Sequence, residues 1–186
     1  MKYVVTICMA FQLLASGVFA GDSFDAIKER LARDGCHGFE FLSLIESEVF
    51  DQVDSADGAA YISSDGKYHI VAGEDIYLYD LISTYSYSES SGQVIVEKAD
   101  SAAPAGDGLS FVLNLDRYYE TSHLVKNQYR LIRTDSSASE YPDSMIVTID
   151  ATEMMLNQLE YYDVNEELNL IIILEQEYEG DCDTSR

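Results

Sequence analysis

From Phe39 onward, apolar and polar residues alternate with a period of two, the pattern of strands that bury one face. Residues 39–52, FEFLSLIESEVFDQ, read as one long strand. AAYISS, KYHIVA, DIYLYD, ISTYSYS and QVIVEK follow, separated by DG, AGED and SSGQ. Breaks this short predict hairpins in an antiparallel meander, since a parallel sheet would need crossover helices for which there is no room. Within residues 66–80, GKYHIVAGEDIYLYD, one strand face carries Tyr68, Ile70 and Ala72 and the other His69 and Val71. After the Gly-Glu-Asp break, Ile76 and Leu78 oppose Tyr77 and Tyr79. Tyr85 and Tyr87 continue this pattern, so the four tyrosines are expected to share strand faces, as cross-strand pairs or as an amphipathic wall.

The period changes at two places. Residues 22–34, DSFDAIKERLARD, place Phe24, Ile27 and Leu31 in a helical stripe, with Ser23 as the expected N-cap and Gly35 as the stop. Residues 99–110, ADSAAPAGDGLS, break the sheet pattern with Pro104 and two glycines. LSFVLNL then carries Leu109, Val112 and Leu113 at helix-like spacing, but is short enough to be a strand. HLVKNQYRLIRT, MIVTID, LNQLEYYD and LNLIIILEQEY restore the two-residue period. The expectation is a mainly β (α+β) domain of about ten antiparallel strands with one or two helices, too large a sheet to stay flat.

The N-terminus adds a compartment. Lys2, the apolar run YVVTICMAFQLLA and SGVFA, with Val18 and Ala20 at the small positions, read as a secretory signal peptide cut after Ala20. Residues 1–20 are then the signal and 21–186 a single domain. Cys8 leaves with the signal, so the mature chain holds Cys36 and Cys182. Two cysteines in an oxidising compartment favour one disulfide; sequence leaves open that they never meet.

Charge and motifs mostly exclude. With 34 acidic against 11 basic residues the net charge is −23. There is no basic patch for nucleic acid or for an anionic membrane surface. His37, His69 and His123 lie far apart and none has a partner at metal-ligand spacing. DSADGA and DVNEEL resemble calcium loops only in composition. No nucleophile elbow, phosphate loop or dinucleotide fingerprint is present, so neither an enzyme nor a bound cofactor or metal is expected.

The order of elements carries a resemblance. A signal and short helix lead to a long first strand ending in FDQ, then GAAYISSDGKYHI, AGEDIYLYD and a tyrosine-rich strand. A Pro/Gly-containing insert precedes QYRLIR, and MIVTIDATEMMLNQLEYYDVNEELNLIIILE follows. This resembles the periplasmic carriers of outer-membrane lipoproteins, the LolA family, over nearly the whole mature chain, by order and spacing rather than by any single motif. His69 stands where the family has an Arg that closes its helical lid, Leu78 where it has a Trp, and the usual Gly before the last strand is missing.

The resemblance implies an unclosed half-barrel of antiparallel strands with helices over the concave face. The cavity would shelter acyl chains of lipoproteins crossing the periplasm to the outer membrane. It also implies a monomer whose partners are acylated lipoproteins or lipid, an inner-membrane release complex and an outer-membrane acceptor. A lipid-binding or sensory module on the same fold, without transport, is the alternative. Cavity candidates are Phe39, Phe41, Tyr68, Ile70, Ile76, Leu78, Val94, Val96, Leu131, Met145 and Val147, although alternation does not say which face is concave. Lid candidates are Leu109, Phe111, Val112 and Leu113, with His69 as the residue gripping them.

Overall fold

The computed structural model describes residues 20–47, 52–98, 110–134, 141–163 and 166–180. Helix α1 (Ala20–Leu31) precedes six strands: β1 (Cys36–Ser47), β2 (Gln52–Ser63), β3 (Tyr68–Ala72), β4 (Asp75–Tyr79), β5 (Ser83–Ser88) and β6 (Gln93–Lys98). A 3-10 turn (Ser110–Asn114) runs into the single-turn helix α2 (Leu115–Tyr118). Five strands complete the chain: β7 (Tyr119–Val125), β8 (Gln128–Arg133), β9 (Ser144–Asp150), β10 (Met155–Tyr162) and β11 (Leu168–Glu179). All eleven form one sheet in the order β6-β5-β4-β3-β2-β1-β11-β10-β9-β8-β7. Every pairing is antiparallel, and β6 and β7 are free edges, so the sheet is not closed.

The register carries a single apolar face across the strands. Phe39 lies opposite Ala60, Ala60 opposite Ile70, and Ile70 opposite Tyr77. In the other direction Phe41 lies opposite Ile173, Ile171 opposite Leu159, Leu159 opposite Val147 and Val147 opposite Tyr129. The helices cover this face. On α1, Phe24, Ile27 and Leu31 are all buried, and the Phe24 ring stacks on Tyr129 with centroids 4.3 Å apart. Burying three such side chains is worth about 1.5–3 kcal/mol each, which is what holds so short a helix in place.

Several local expectations are corrected. α1 starts at Ala20, so Ser23 sits inside the helix, buried, and is not its cap. The expected strand over 39–52 is two strands, because Ser47 pairs with Gln52 and the chain reverses between them. The Asp-Gly break at 65–66 is the turn between β2 and β3, as expected, whereas VDSADG at 53–58, which precedes the expected strand AAYISS, lies inside β2. A Cβ at Gly58 would collide with the Val71 carbonyl oxygen and stand 2.5 Å from the Phe41 ring. Gly58 is therefore required by close approach. HLVKNQYRLIRT is a hairpin, with Lys126 at φ 46° in the two-residue turn between β7 and β8. LSFVLNL is helical over its described residues. Of the expected signal segment, residues 1–20, positions 1–19 lie outside the described residues and Ala20 is the first residue of α1.

The junction between α1 and β1 holds a buried histidine. Gly35, at φ 140°, makes the corner, where a Cβ would meet the Glu179 carbonyl oxygen at 2.7 Å. His37 follows on the covered face, fully buried, with Nε2 3.4 Å from the Arg33 carbonyl oxygen and no partner at Nδ1. Its ring lies 5.2 Å from that of Tyr178, whose hydroxyl donates to the Asp34 carbonyl oxygen at 2.5 Å. Burial lowers the His37 pKa, the charge of Arg30 lowers it further, and the Arg33 carbonyl opposes them.

This predicts a pH dependence with a definite sign. Well above pH 6.5 the ring is neutral folded and unfolded alike, and the contribution of His37 is constant. As the pH falls through that value the unfolded chain takes up the proton first, so stability is lost until the folded ring protonates too. His37→Leu should flatten the stability profile below about pH 6.5 relative to the parent, measured by urea denaturation at stepped pH. Parallel profiles for the two proteins would contradict this.

Candidate ligand site under the helical cover

The centre of the covered face is an aromatic cage around one residue of the cover. Phe111 is buried and meets Tyr119, Tyr141 and Tyr161 at centroid distances of 6.4, 5.8 and 6.2 Å. Tyr118 and Tyr141 pack edge to face at 5.0 Å. Burial pushes the Tyr161 hydroxyl up to about 12 and raises Tyr119 also. These rings therefore stay neutral and present a weakly polar, water-poor wall. Val112, Leu113 and Leu115 are buried alongside Phe111. Two polar clasps hold the cover: Lys28 Nζ of α1 donates to Asp116 at 2.6 Å and pairs with Asp25 at 3.0 Å. At the other end the Thr134 backbone N–H donates to the Tyr118 carbonyl at 2.8 Å.

A cleft of about 220 Å³ enters the rim of this layer between β3–β4 and α2. Tyr68, Tyr79, Tyr118 and Tyr141 line it together with Leu81, Asn114, Arg117 and the Ser64–Gly66 turn, whose Asp65 is paired with Lys67. The Arg117 guanidinium stacks over the Tyr118 ring at 5.2 Å. Among the described residues Arg117 forms no ion pair. Aromatic walls with one uncommitted cation among them suit an amphiphile, tail inward and anionic head outward.

The candidate residues divide between two faces. Phe39, Phe41, Tyr68, Ile70, Leu131, Met145 and Val147 all lie in the buried layer. Ile76, Leu78, Val94 and Val96 face the other way. The two-residue turn Gly73–Glu74 pairs Ile70 with Tyr77 and Val71 with Ile76, so even positions inside in β3 give way to odd positions inside in β4. Each later hairpin repeats the inversion: Tyr79 pairs with Thr84 and Ser86 with Ile95. The four tyrosines are split for the same reason: Tyr77 and Tyr79 face the helices, while Tyr85 and Tyr87 lie on the outer face.

The lid candidates are also separated. Phe111, Val112 and Leu113 form the cover; Leu109 lies outside the described residues. His69 pairs with Tyr61 and Leu78 through an unbroken register on the outer face, so it does not reach the cover and cannot grip it. Arg117 and the cage tyrosines were missed by sequence reasoning; the run RYY at 117–119 marked an aromatic and cationic cluster at the end of α2, but nothing in it pointed to Tyr141 or Tyr161. Among the described residues, no group of three or more His, Cys, Asp or Glu side chains gathers as for a metal.

No family model matches the chain, and no curated protein matches it. Solved structures similar in arrangement include an uncharacterized conserved protein from Thermus thermophilus, at 7% identity and TM-score 0.49, covering 89% of this chain and 91% of that one. A domain from Vibrio parahaemolyticus described as an outer membrane lipoprotein-sorting protein has 11% identity and TM-score 0.45, covering 89% and 96%. A LolA superfamily protein from Nitrosomonas europaea has 8% identity and TM-score 0.45, covering 86% and 93%. These are likenesses of chain arrangement. The fold itself, read from its own register, is an unclosed antiparallel half-barrel with helices over one face.

If Phe111 anchors the cover, Phe111→Ala should loosen it selectively. Removing a buried phenylalanine costs about 3–5 kcal/mol, and here the loss falls on a segment with few other ties. Hydrogen exchange should accelerate over residues 110–118 while residues 168–174 stay protected. Uniform acceleration of both regions would mean that Phe111 is ordinary core.

Proposed function

We propose that the chain is an exported lipid-handling protein that takes up the acyl chains of lipoproteins in the periplasm and delivers them toward the outer membrane. The observation that carries the reading is the covered face. A continuous apolar layer from β3 to β8 is closed by one helix and a short helical segment, not by a second sheet. A cover of this kind can leave without dismantling the sheet. Displacing it would expose Phe111, Val112, Leu113 and Leu115, at roughly 1.5–3 kcal/mol each. An acyl chain of about fourteen methylenes returns about 0.8 kcal/mol for each one buried, a total near 11 kcal/mol. The two sums are close, which favours reversible exchange over permanent capture. Arg117 in the cleft would hold the polar head while the tail replaces the cover.

The signal-peptide pattern read over residues 1–20 and the resemblance of the chain's motif order to lipoprotein carriers support the periplasmic setting. The alternative, a lipid-binding or sensory module without transport, is favoured by the apolar outer surface on β4–β6, which a shuttling carrier does not need.

The pairing of Cys36 with Cys182 belongs to the same proposal. Cys36 is buried at the start of β1, opposite Glu179 at the end of β11. Cys182, three positions past Glu179, lies outside the described residues. A bridge there would lock the first strand to the tail and stabilise by up to about 5 kcal/mol in a chain-entropy treatment. Unreduced mature protein should present no alkylatable thiol by mass spectrometry; two would end the idea.

The deciding experiment uses a dansylated N-palmitoyl peptide and the same peptide without its acyl chain. The mature protein should bind only the acylated form, in the micromolar range, and Arg117→Glu should weaken binding of an anionic-headed lipid by roughly tenfold. The protein should also release a lipoprotein from inner-membrane vesicles into solution. Binding without release would leave the sensory module; binding of neither lipid nor acylated peptide would overturn the proposal.

A further inference from the structure

The far end of the sheet presents a second surface, independent of the lipid reading. Every residue of β6 is exposed, including Val94 at 60%, Ile95 at 56% and Val96 at 58%. Val94 and Val96 lie on the outer face with Tyr87 and Tyr85, and Ile95 on the inner face with Ser86. β6 is also a terminal strand, so one of its sides has backbone donors and acceptors that pair with no described strand. Proteins usually blunt such an edge with proline, a bulge or central charges. β6 reads QVIVEK, contains no proline and pairs with β5 without a register shift. The opposite edge, β7, reads YETSHLV and is polar through its centre.

Beside β6 on the outer face runs a groove of about 400 Å³ lined by Ile76, Leu78, Tyr85, Tyr87 and Val94, with Asp80 at one end. Asp80 stands at the turn next to Ser83, which pairs with Lys98 at the end of β6. Its carboxylate accepts the backbone N–H groups of Ile82 at 2.9 Å and Ser83 at 2.8 Å, and the Tyr85 hydroxyl at 3.3 Å. Those bonds, the Ser83 amide first, hold its pKa below the usual carboxylate range. Among the described residues no Lys or Arg pairs with Asp80. The groove thus ends in a fixed, unneutralised negative charge.

We propose that β6 is a docking edge for an extended, basic and apolar segment of another protein, which adds to the sheet as a twelfth strand and places a Lys or Arg against Asp80. Charge decides the occupant. A net charge of −23 attracts a cationic strand and opposes a second copy of this chain. Main-chain bonds to the edge supply affinity, and the groove and Asp80 supply selection.

The test uses a short fluorescein-labelled peptide of alternating lysine and valine. Its controls are the glutamate-for-lysine counterpart and a copy N-methylated at alternate backbone amides. The lysine peptide should bind, and both controls should bind roughly tenfold or more weakly. Val96→Pro should abolish binding, because proline there removes an outward-pointing edge donor, and Val96 lies on the outer face, away from the covered layer. Asp80→Asn, which keeps the turn acceptor, should weaken binding and reduce its salt dependence. Both variants should bind the palmitoyl peptide as the parent does. Equal affinity for all three peptides, or binding insensitive to both variants, would overturn the proposal. A dimer in sedimentation that Val96→Pro dissolves would also overturn it, in favour of a second copy on the edge.

Discussion

The structure depends on how one apolar sheet face is kept from water. A closed barrel would bury its inner face by construction, and a sandwich would use a second sheet. This sheet does neither: β6 and β7 never meet, and the burial of Phe41, Leu131, Val147 and Leu159 relies on α1 and the Ser110–Tyr118 segment. The cover's ties are few and local. They are the stripe Phe24, Ile27 and Leu31, the cage around Phe111, and the Lys28–Asp116 contact between the two helical pieces. The ion pair is partly exposed and contributes little compared with the rings. Stability and access to the layer are therefore set by the same aromatic contacts.

The α1–β1 junction adds a constraint from the other side. Gly35, His37 and the Tyr178 hydroxyl form a tight corner where the helix, the first strand and the last strand meet. Because β1 and β11 are the central pair, this corner ties the helix to the middle of the sheet. α1 is thus anchored at its C-terminal end, whereas the Ser110–Tyr118 segment is fixed chiefly by side-chain packing. Of the two pieces of cover, the second is the one whose departure leaves the rest intact.

Most of the strands were legible because a half-buried strand writes its period directly into the sequence, as KYHIVA and MIVTID do. The inward face was legible only strand by strand. A turn with an even number of residues pairs positions whose numbers sum to an odd value, so the inward parity inverts at each hairpin from β3 to β6. Alternation groups Ile76 with Leu78 and Tyr77 with Tyr79 but leaves open which pair turns inward; Ile76 and Leu78 are cavity candidates on their apolar character, and the register puts Tyr77 and Tyr79 there instead. The role of Gly58 was illegible for a different reason: the glycine makes room for Phe41 from the neighbouring strand. Contacts of that kind are tertiary and leave no local trace. The cage tyrosines were invisible for the same reason, since Tyr119, Tyr141 and Tyr161 meet only through the fold.

The outer face shows that the acidic composition is distributed rather than uniform. Near its centre Glu40 lies directly opposite Glu175, an arrangement that costs stability when like charges face each other across strands. Such a pair repels anionic surfaces and discourages association there. Three strands away the same face becomes Ile76, Leu78, Tyr87 and Val94, with exposed Leu81 and Ile82 at the adjoining turn. A surface under selection for solubility alone would not concentrate apolar side chains at an unguarded edge while accepting carboxylate repulsion at its centre. Under the two proposals, the contrast within one face would separate two tasks: the covered side would hold an apolar guest, and the β4–β6 end would meet a macromolecule, each able to act without the other.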